Sequence, residues 1–174
     1  KEAETHLRMM VQAAPNQAFY QETLADVLIQ LEQLPEATEL LQSLAERQTL
    51  PPALAIRLGR MLAWQRDYQR SAEVISAMLQ RGTPLGVSER LGLAEYYVES
   101  RAPQQAVQIL EALPAELAAD AALHQALLAT QIRAQADLGD LIRAGESVRR
   151  LGQVPLRDPR PRLDLADALY RSGH

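Results

Sequence analysis

The chain has 174 residues, no cysteine and a formal net charge of -4. The lack of cysteine excludes disulfides and cysteine-ligated metals, and the acidic balance argues against a nucleic-acid-binding protein, which needs a basic face to displace phosphate counterions. Aromatic residues contribute only 4% of the chain, whereas Ala, Leu, Gln, Glu and Arg, which favour helices, are abundant, so the composition predicts an all-α fold.

The predicted elements are short helices separated by prolines. All 10 prolines fall between segments with helical apolar spacing, where they mark helix ends because proline lacks the backbone donor. In chain order the sequence predicts one solenoid made of half-repeat 1–15, repeats at about 18–51, 52–86, 87–121 and 122–158, and half-repeat 159–174. Because the chain starts and stops within a repeat, we expect a fragment of a longer array whose uncapped apolar ends self-associate end to end.

A small residue recurs in every predicted first helix, including the one in the C-terminal half-repeat, three residues before a large apolar one. These residues are Ala25, Gly59, Ala94, Ala129 and Ala166, at steps of 34, 35, 35 and 37 residues. A second series lies twelve residues after the first three of them, at Ala37, Ser71 and Ala106. Small residues on both helices of a pair permit close approach of the helix axes. In the fourth pair the series recurs at Ala144 only after an insertion of three residues, which we expect to lengthen the turn.

Two stretches carry this pattern most clearly, LGRMLAWQRDYQRSAEVI at 58–75 and LAEYYVESRAPQQAVQIL at 93–110. They resemble the tetratricopeptide repeat (TPR) family, whose unit is a 34-residue helix–turn–helix. Pro15 stands where that family often ends a repeat. The family's tryptophan early in the first helix is absent from every unit. The resemblance implies a right-handed superhelical solenoid of antiparallel helix pairs.

Each predicted first helix has a second stripe, opposite the one that carries the small residue. In a TPR-like superhelix this stripe lines the concave surface, and we take it as the candidate binding surface. The candidate binding residues are Phe19, Glu22, Asp26, Gln30, Ile56, Arg60, Trp64, Leu91, Glu95 and Glu99. They predict a groove with an aromatic patch and negative potential, which favours a cationic or neutral ligand over a carboxylate.

Trp64 is the only tryptophan, and the packing pattern does not require it. Exposed aromatic side chains are typical anchors for bound peptides and sugars. Alternatively, Trp64 packs against the adjacent repeat or on the stem of an arginine such as Arg60. The sequence leaves both interpretations open.

Residues with the spacing of an active site are not found. The histidines, His6, His124 and His174, are too far apart in sequence to suggest a metal site, and no glycine-rich phosphate loop occurs. Glu95 and Glu99, one helical turn apart, are better explained as a solvated face than as an acid–base pair. We therefore expect no enzyme, no cofactor and no metal. No apolar run reaches the roughly 20 residues that span a bilayer, so we expect no membrane span in this segment.

The sequence favours a non-catalytic scaffold that binds a protein partner. The stretch RMLAWQRDYQRSAEVI is similar to repeats in the periplasmic TPR arrays of Pel-type exopolysaccharide export proteins of the bacterial outer membrane. That resemblance implies a periplasmic location, a role in biofilm polysaccharide secretion, and recruitment of a polysaccharide-modifying enzyme such as a deacetylase or hydrolase. Two alternatives stay open: a groove that binds or guides a cationic polysaccharide, and a generic cytoplasmic TPR adaptor.

Overall fold

The computed structural model describes residues 2–15, 17–46, 50–114 and 120–153, together with Tyr170. These residues form nine α-helices and no β-strand, which confirms the predicted all-α class. The helices are α1 (Glu2–Ala13), α2 (Ala18–Gln30), α3 (Leu34–Glu46), α4 (Pro52–Trp64), α5 (Tyr68–Gln80), α6 (Val87–Glu99), α7 (Pro103–Glu111), α8 (Ala121–Asp137) and α9 (Leu141–Gln153). Apart from Tyr170, the predicted half-repeat at 159–174 lies outside the described residues.

The chain divides into two compact units, unit 1 (Lys1–Pro84) and unit 2 (Leu85–His174). Unit 1 contains α1 to α5 and unit 2 contains α6 to α9. Within each unit every helix packs against the next one along the chain. Consecutive packing of short helices is the architecture of an all-α helical-repeat solenoid, as the sequence predicts.

The turn inside each helix pair has the same geometry four times. One residue of each turn has a positive φ, and these residues are Glu32, Arg66, Arg101 and Gly139, 34, 35 and 38 positions apart. In the turn between α4 and α5, the backbone N–H of Arg66 donates to Ala63 and that of Asp67 donates to Leu62. The other three turns contain the equivalent two bonds. This Schellman motif satisfies the last carbonyls of the first helix and reverses the chain.

The predicted close contact between the helices of a pair is present in the first three pairs. Ala25, Ala37, Ala94 and Ala106 are fully buried. In the α4–α5 pair the buried Ser71 hydroxyl donates to the carbonyl oxygen of Gly59 at 2.6 Å. A Cβ atom on Gly59 would lie 2.8 Å from Cδ1 of Ile75, so the two helices approach as closely as a glycine permits.

The fourth pair differs from the prediction. Its turn is no longer than the others; instead α8 has 17 residues, whereas α2, α4 and α6 each have 13. The extra residues continue the helix because none of them is a proline or a glycine. The expectation that Ala129 makes the close contact is wrong, since Ala129 is only half-buried. Ile132, seven residues before the positive-φ glycine, takes that position and is fully buried, as is Ala144 in α9.

Candidate functional site

In unit 1 the outward stripes of α2 and α4 form one surface, here called the α2–α4 face. Its residues are Phe19, Thr23, Asp26 and Gln30 on α2, and Ala53, Arg57, Arg60 and Trp64 on α4. Each α4 residue follows the corresponding α2 residue by 34 positions. All eight are exposed or half-buried. Ile56 and Glu22, at the margins of these stripes, are half-buried.

The two helices of this face run in the same direction. The turn between α2 and α3 reverses the chain, and the end of α4 lies beside the start of α3, so α2 and α4 are both antiparallel to α3. The Gln65 side-chain amide at the end of α4 donates to the Thr38 hydroxyl near the start of α3 at 3.3 Å. The Arg57 guanidinium on α4 forms an ion pair with the Asp26 carboxylate on α2. These contacts fix which residues of the face are neighbours.

Phe19 and Trp64 lie at opposite ends of the α2–α4 face. Phe19 precedes Asp26 by seven residues and Trp64 follows Arg57 by seven. At a rise of 1.5 Å per residue, the two aromatic side chains are about 15–20 Å apart along the helix direction. The face therefore has two separate aromatic positions instead of the single patch that the sequence predicted.

Both aromatic side chains are open to solvent. Trp64 is 74% exposed and Phe19 is 68% exposed. The Phe19 ring makes an edge contact with Tyr20, with ring centroids 5.8 Å apart. Because so much of the Trp64 ring is exposed, its packing against a neighbouring repeat of unit 1 is excluded as an explanation for its position.

The charge of the face differs from the expected negative potential, because Asp26 is neutralised by Arg57. In unit 2 the Glu99 carboxylate on α6 likewise forms an ion pair with an arginine on the next first helix, Arg133 on α8. The sequence interpretation missed that Arg57 and Arg133 pair with these carboxylates. Their spacing from the carboxylates, 31 and 34 residues, is about one repeat and was a usable signal.

The candidate residue Leu91 is not on the surface of unit 2. Its side chain is 5% exposed and packs in a cluster with Ala94, Val98 and Leu127. Its assignment to the binding surface is therefore corrected: Leu91 belongs to the core between α6, α7 and α8. The helical-wheel prediction failed here because a helix flanked on two sides buries more than one stripe.

Glu95 is a half-buried carboxylate between α6 and α8. Burial raises its pKa above the ordinary value of 4.5; the charge of Arg133 opposes this and the charge of Glu99 adds to it. Burial wins because Arg133 gives its hydrogen bond to Glu99. The charged form of Glu95 is therefore less stable in the folded protein than in the unfolded chain.

The substitution Glu95→Gln is expected to stabilise unit 2 at pH 7.5. A carboxyl group whose pKa is raised on folding holds its proton more tightly in the native state. The free energy of unfolding therefore falls as the pH rises from the pKa of the unfolded chain through the raised pKa of the folded protein. Glutamine removes this penalty, and its advantage disappears below the pKa of the unfolded chain. Urea denaturation midpoints at pH 7.5 and pH 4 measure the effect. Glu146→Gln, on an exposed side chain of α9, is the matched control and is expected to change neither midpoint. Equal midpoints for Glu95→Gln and wild type at pH 7.5 would contradict a raised pKa of Glu95.

The described ranges offer no cluster of three or more His, Cys, Asp or Glu side chains placed to hold a metal ion. In the same ranges, no helix has the length and apolar character required to cross a membrane. In comparisons with known proteins, no protein-family model matches the chain and no curated protein matches it significantly.

Proposed function

We propose that the protein is a non-catalytic scaffold that binds a protein partner through the α2–α4 face. The observation that supports this most directly is the exposure of Trp64, at 74%. A tryptophan side chain offers about 150–250 Å² of mostly apolar area for burial. Tryptophan is enriched among the residues that dominate binding energy at protein interfaces. A partner that covers the ring gains this area, which the fold itself leaves unused.

The proposed setting rests on the resemblance to TPR repeats and, within them, to Pel-type export proteins. On that basis we propose a periplasmic location as a segment of an outer-membrane protein of a bacterial exopolysaccharide secretion complex. The proposed partner is a polysaccharide-modifying enzyme such as a deacetylase or hydrolase. A cytoplasmic TPR adaptor would use the same face with a different partner.

A protein partner is preferred to a cationic polysaccharide because of the charges on the outward stripes. A cationic ligand in the groove would depend on four carboxylates. Two of them are each paired with an arginine, namely Asp26 and Glu99. A third, Glu95, is half-buried between helices and therefore only partly accessible to a ligand. The fourth is Glu22, which forms no ion pair with the described part of the chain. One such carboxylate in unit 1 is weak support for a polycationic ligand.

The proposal is tested by photo-crosslinking and pull-down. A photoreactive phenylalanine at position 30, which is exposed and equivalent to Trp64, is expected to crosslink to a protein in bacterial periplasmic extract. Trp64→Ala is expected to lower recovery of that protein by about tenfold or more, the effect of removing one interface hot spot. Ile142→Ala, on the exposed surface of α9 in unit 2, is the control and is expected to leave recovery unchanged.

Two results would contradict the proposal. One is equal recovery of the same proteins by wild type and Trp64→Ala at an unchanged melting temperature. The other is retention of a glucosamine oligomer that requires Trp64, with no crosslinked protein. The second result would favour the polysaccharide alternative. Crosslinking only in cytosolic extract would move the proposed location to the cytoplasm and keep the scaffold role.

A further inference from the structure

We propose that an apolar stripe on α1 binds residues 159–174 of a second copy of the chain. The stripe, here called the α1 stripe, consists of Ala3, Leu7 and Met10. It lies outside the α2–α4 face, so the inference does not depend on the proposed function. Each copy carries both halves of the contact, the α1 stripe and the segment 159–174, so copies associate head to tail.

The α1 stripe repeats the packing surface of the other second helices, α3, α5 and α7. The equivalent residues are Ala37, Leu41 and Leu44 in α3, Ser71, Ile75 and Met78 in α5, and Ala106, Leu110 and Leu113 in α7. All of them are buried apart from Leu113, which is partly buried. In the α4–α5 pair the first helix covers this surface, as the hydrogen bond from the Ser71 hydroxyl to the Gly59 carbonyl shows.

On α1 the same surface is open to solvent. Ala3 is exposed, Met10 is 42% exposed and Leu7 is half-buried. None of the residues from Glu2 to Ala13 is buried, although α1 packs against α2. A helix of the kind that covers the equivalent surface of α5 is therefore complementary to the α1 stripe.

Residues 159–174 carry the sequence pattern of such a first helix. Leu165, Ala166, Leu169 and Gly173 have the spacing of Leu24, Ala25, Leu28 and Glu32 in the first pair and of Leu58, Gly59, Leu62 and Arg66 in the second. In both described pairs the first three of these residues are buried and the fourth has the positive φ of the turn. Glycine suits that turn because it tolerates positive φ. The sequence therefore predicts that the segment presents Ala166 and Leu169 to a second helix.

The need for a small residue favours this segment over other amphipathic helices. In the first three pairs, the residue equivalent to Ala3 follows a small residue of the first helix by twelve positions. At Gly59 a Cβ atom would lie 2.8 Å from Cδ1 of Ile75, so the contact has no room for a larger side chain. A helix with leucine at that position would overpack the contact. Ala166 supplies the small residue from the chain's own sequence.

Sedimentation equilibrium of the full chain over a range of protein concentrations tests the proposal. A helix the length of α1 is about 18 Å long, so one of its faces buries less than the roughly 800 Å² per partner of a stable complex. The association is therefore expected to be weak and concentration-dependent. Because the contact joins two different surfaces, it extends to a third copy, and the average mass of wild type should rise above that of a dimer.

Two variants separate the halves of the contact. Ala3→Arg and Ala166→Arg are each expected to stay monomeric, because arginine would place a charge without a partner in an apolar contact. Ala3→Arg keeps an intact segment 159–174 and Ala166→Arg keeps an intact α1 stripe. An equimolar mixture of the two should therefore form a dimer with one copy of each and nothing larger.

Gln12→Arg is the matched control for Ala3→Arg. Gln12 is an exposed residue of α1 that lies about 180° from Ala3 around the helix, so this variant is expected to associate as wild type does. Melting temperatures measured by circular dichroism check the folding of each variant. Where Ala166→Arg lowers the melting temperature, Ala166→Leu replaces it, because leucine favours a helix and still overpacks the contact with Ala3.

The proposal fails on any of three results. A wild type that is monomeric at every concentration would exclude a second copy, and a lower melting temperature of Ala3→Arg would then place the segment on α1 of the same chain. Association of Ala3→Arg equal to that of wild type would exclude the α1 stripe. Association of wild type without a dimer in the mixture would indicate a contact between two identical surfaces. Each result leaves the proposal for the α2–α4 face unaffected.

Discussion

Replacing Gly59 with valine is expected to lower the free energy of unfolding by about 3 kcal/mol, at the upper end of the cost of overpacking a core. A Cβ atom at this position lies 2.8 Å from Cδ1 and 2.9 Å from Cγ1 of Ile75. Ile75 is itself buried in the core of the pair, so its side chain cannot move away without displacing its neighbours. The helices would have to separate, and that separation would stretch the hydrogen bond from the Ser71 hydroxyl to the Gly59 carbonyl.

The same substitution at Gly145 is the matched control. Gly145 lies within α9, and no atom would come within 4 Å of a Cβ atom there. Because valine has a somewhat higher helix propensity than glycine, Gly145→Val is expected to be neutral or stabilising by a few tenths of a kcal/mol, on the order of the propensity difference. Urea denaturation followed by circular dichroism at 222 nm measures both variants.

A double substitution isolates the contact between the helices. Ile75→Ala removes both atoms that a Cβ at Gly59 would meet, so Gly59→Val combined with Ile75→Ala should be less destabilised than the sum of the two single variants. Strict additivity, or a cost of Gly59→Val no greater than that of Gly145→Val, would show that the helices are not held together at this point.

The spacing of small residues was sufficient to predict the fold class and the packing inside the first three pairs. The period of 34 or 35 residues appears in the sequence because each turn reverses the chain after a helix of the same length. Helix propensity and proline positions act locally, so a single sequence reveals them. The burial of Ala25, Ala94 and Ala106 follows from that period alone.

The candidate surface was less predictable because it depends on contacts between repeats. A helical wheel considers one helix at a time, and it assigned Leu91 to the surface although three helices enclose it. It also missed that Arg57 and Arg133 reach across to carboxylates on the preceding first helix. For an exposed residue such as Trp64 the wheel gave the direction of the side chain, but only the structure decides whether another helix covers it.

The fourth pair shows why a repeat register must be anchored at the turn. Counting forward from Ala94 by the usual 35 residues gives Ala129, whereas counting back seven residues from the positive φ of the turn gives Ile132. The two counts differ because α8 is longer than the other first helices. The extra length lies before the turn, so positions counted from the turn stay equivalent among all four pairs.

Replacing Ile132 with alanine is expected to lower the free energy of unfolding of unit 2 by about 3 kcal/mol, the typical cost of such a truncation in a core. Ile132 is 0% exposed and packs in a cluster with Leu128, Leu151 and Val148. Ile142→Ala, on a side chain of α9 that is 78% exposed, is the matched control and should cost no more than about 0.5 kcal/mol. Urea denaturation of the two variants under the same conditions provides the comparison.

The stability of Ile132→Ala shows whether the repeat consensus or the packing of α8 against α9 determines which residue is favourable at position 132. The positions equivalent to Ile132 hold Ala25, Gly59 and Ala94, so a consensus of the four repeats would make alanine the favourable residue. The structure indicates the opposite, because a smaller side chain on one helix of a pair is matched by a larger side chain on the other. Gly59 is opposite the larger Ile75, whereas Ile132 packs with the smaller Val148. Truncating Ile132 without enlarging Val148 leaves a cavity. Ile132→Ala combined with Val148→Leu should therefore recover part of the lost stability. An unchanged or increased stability of Ile132→Ala would contradict the placement of this side chain.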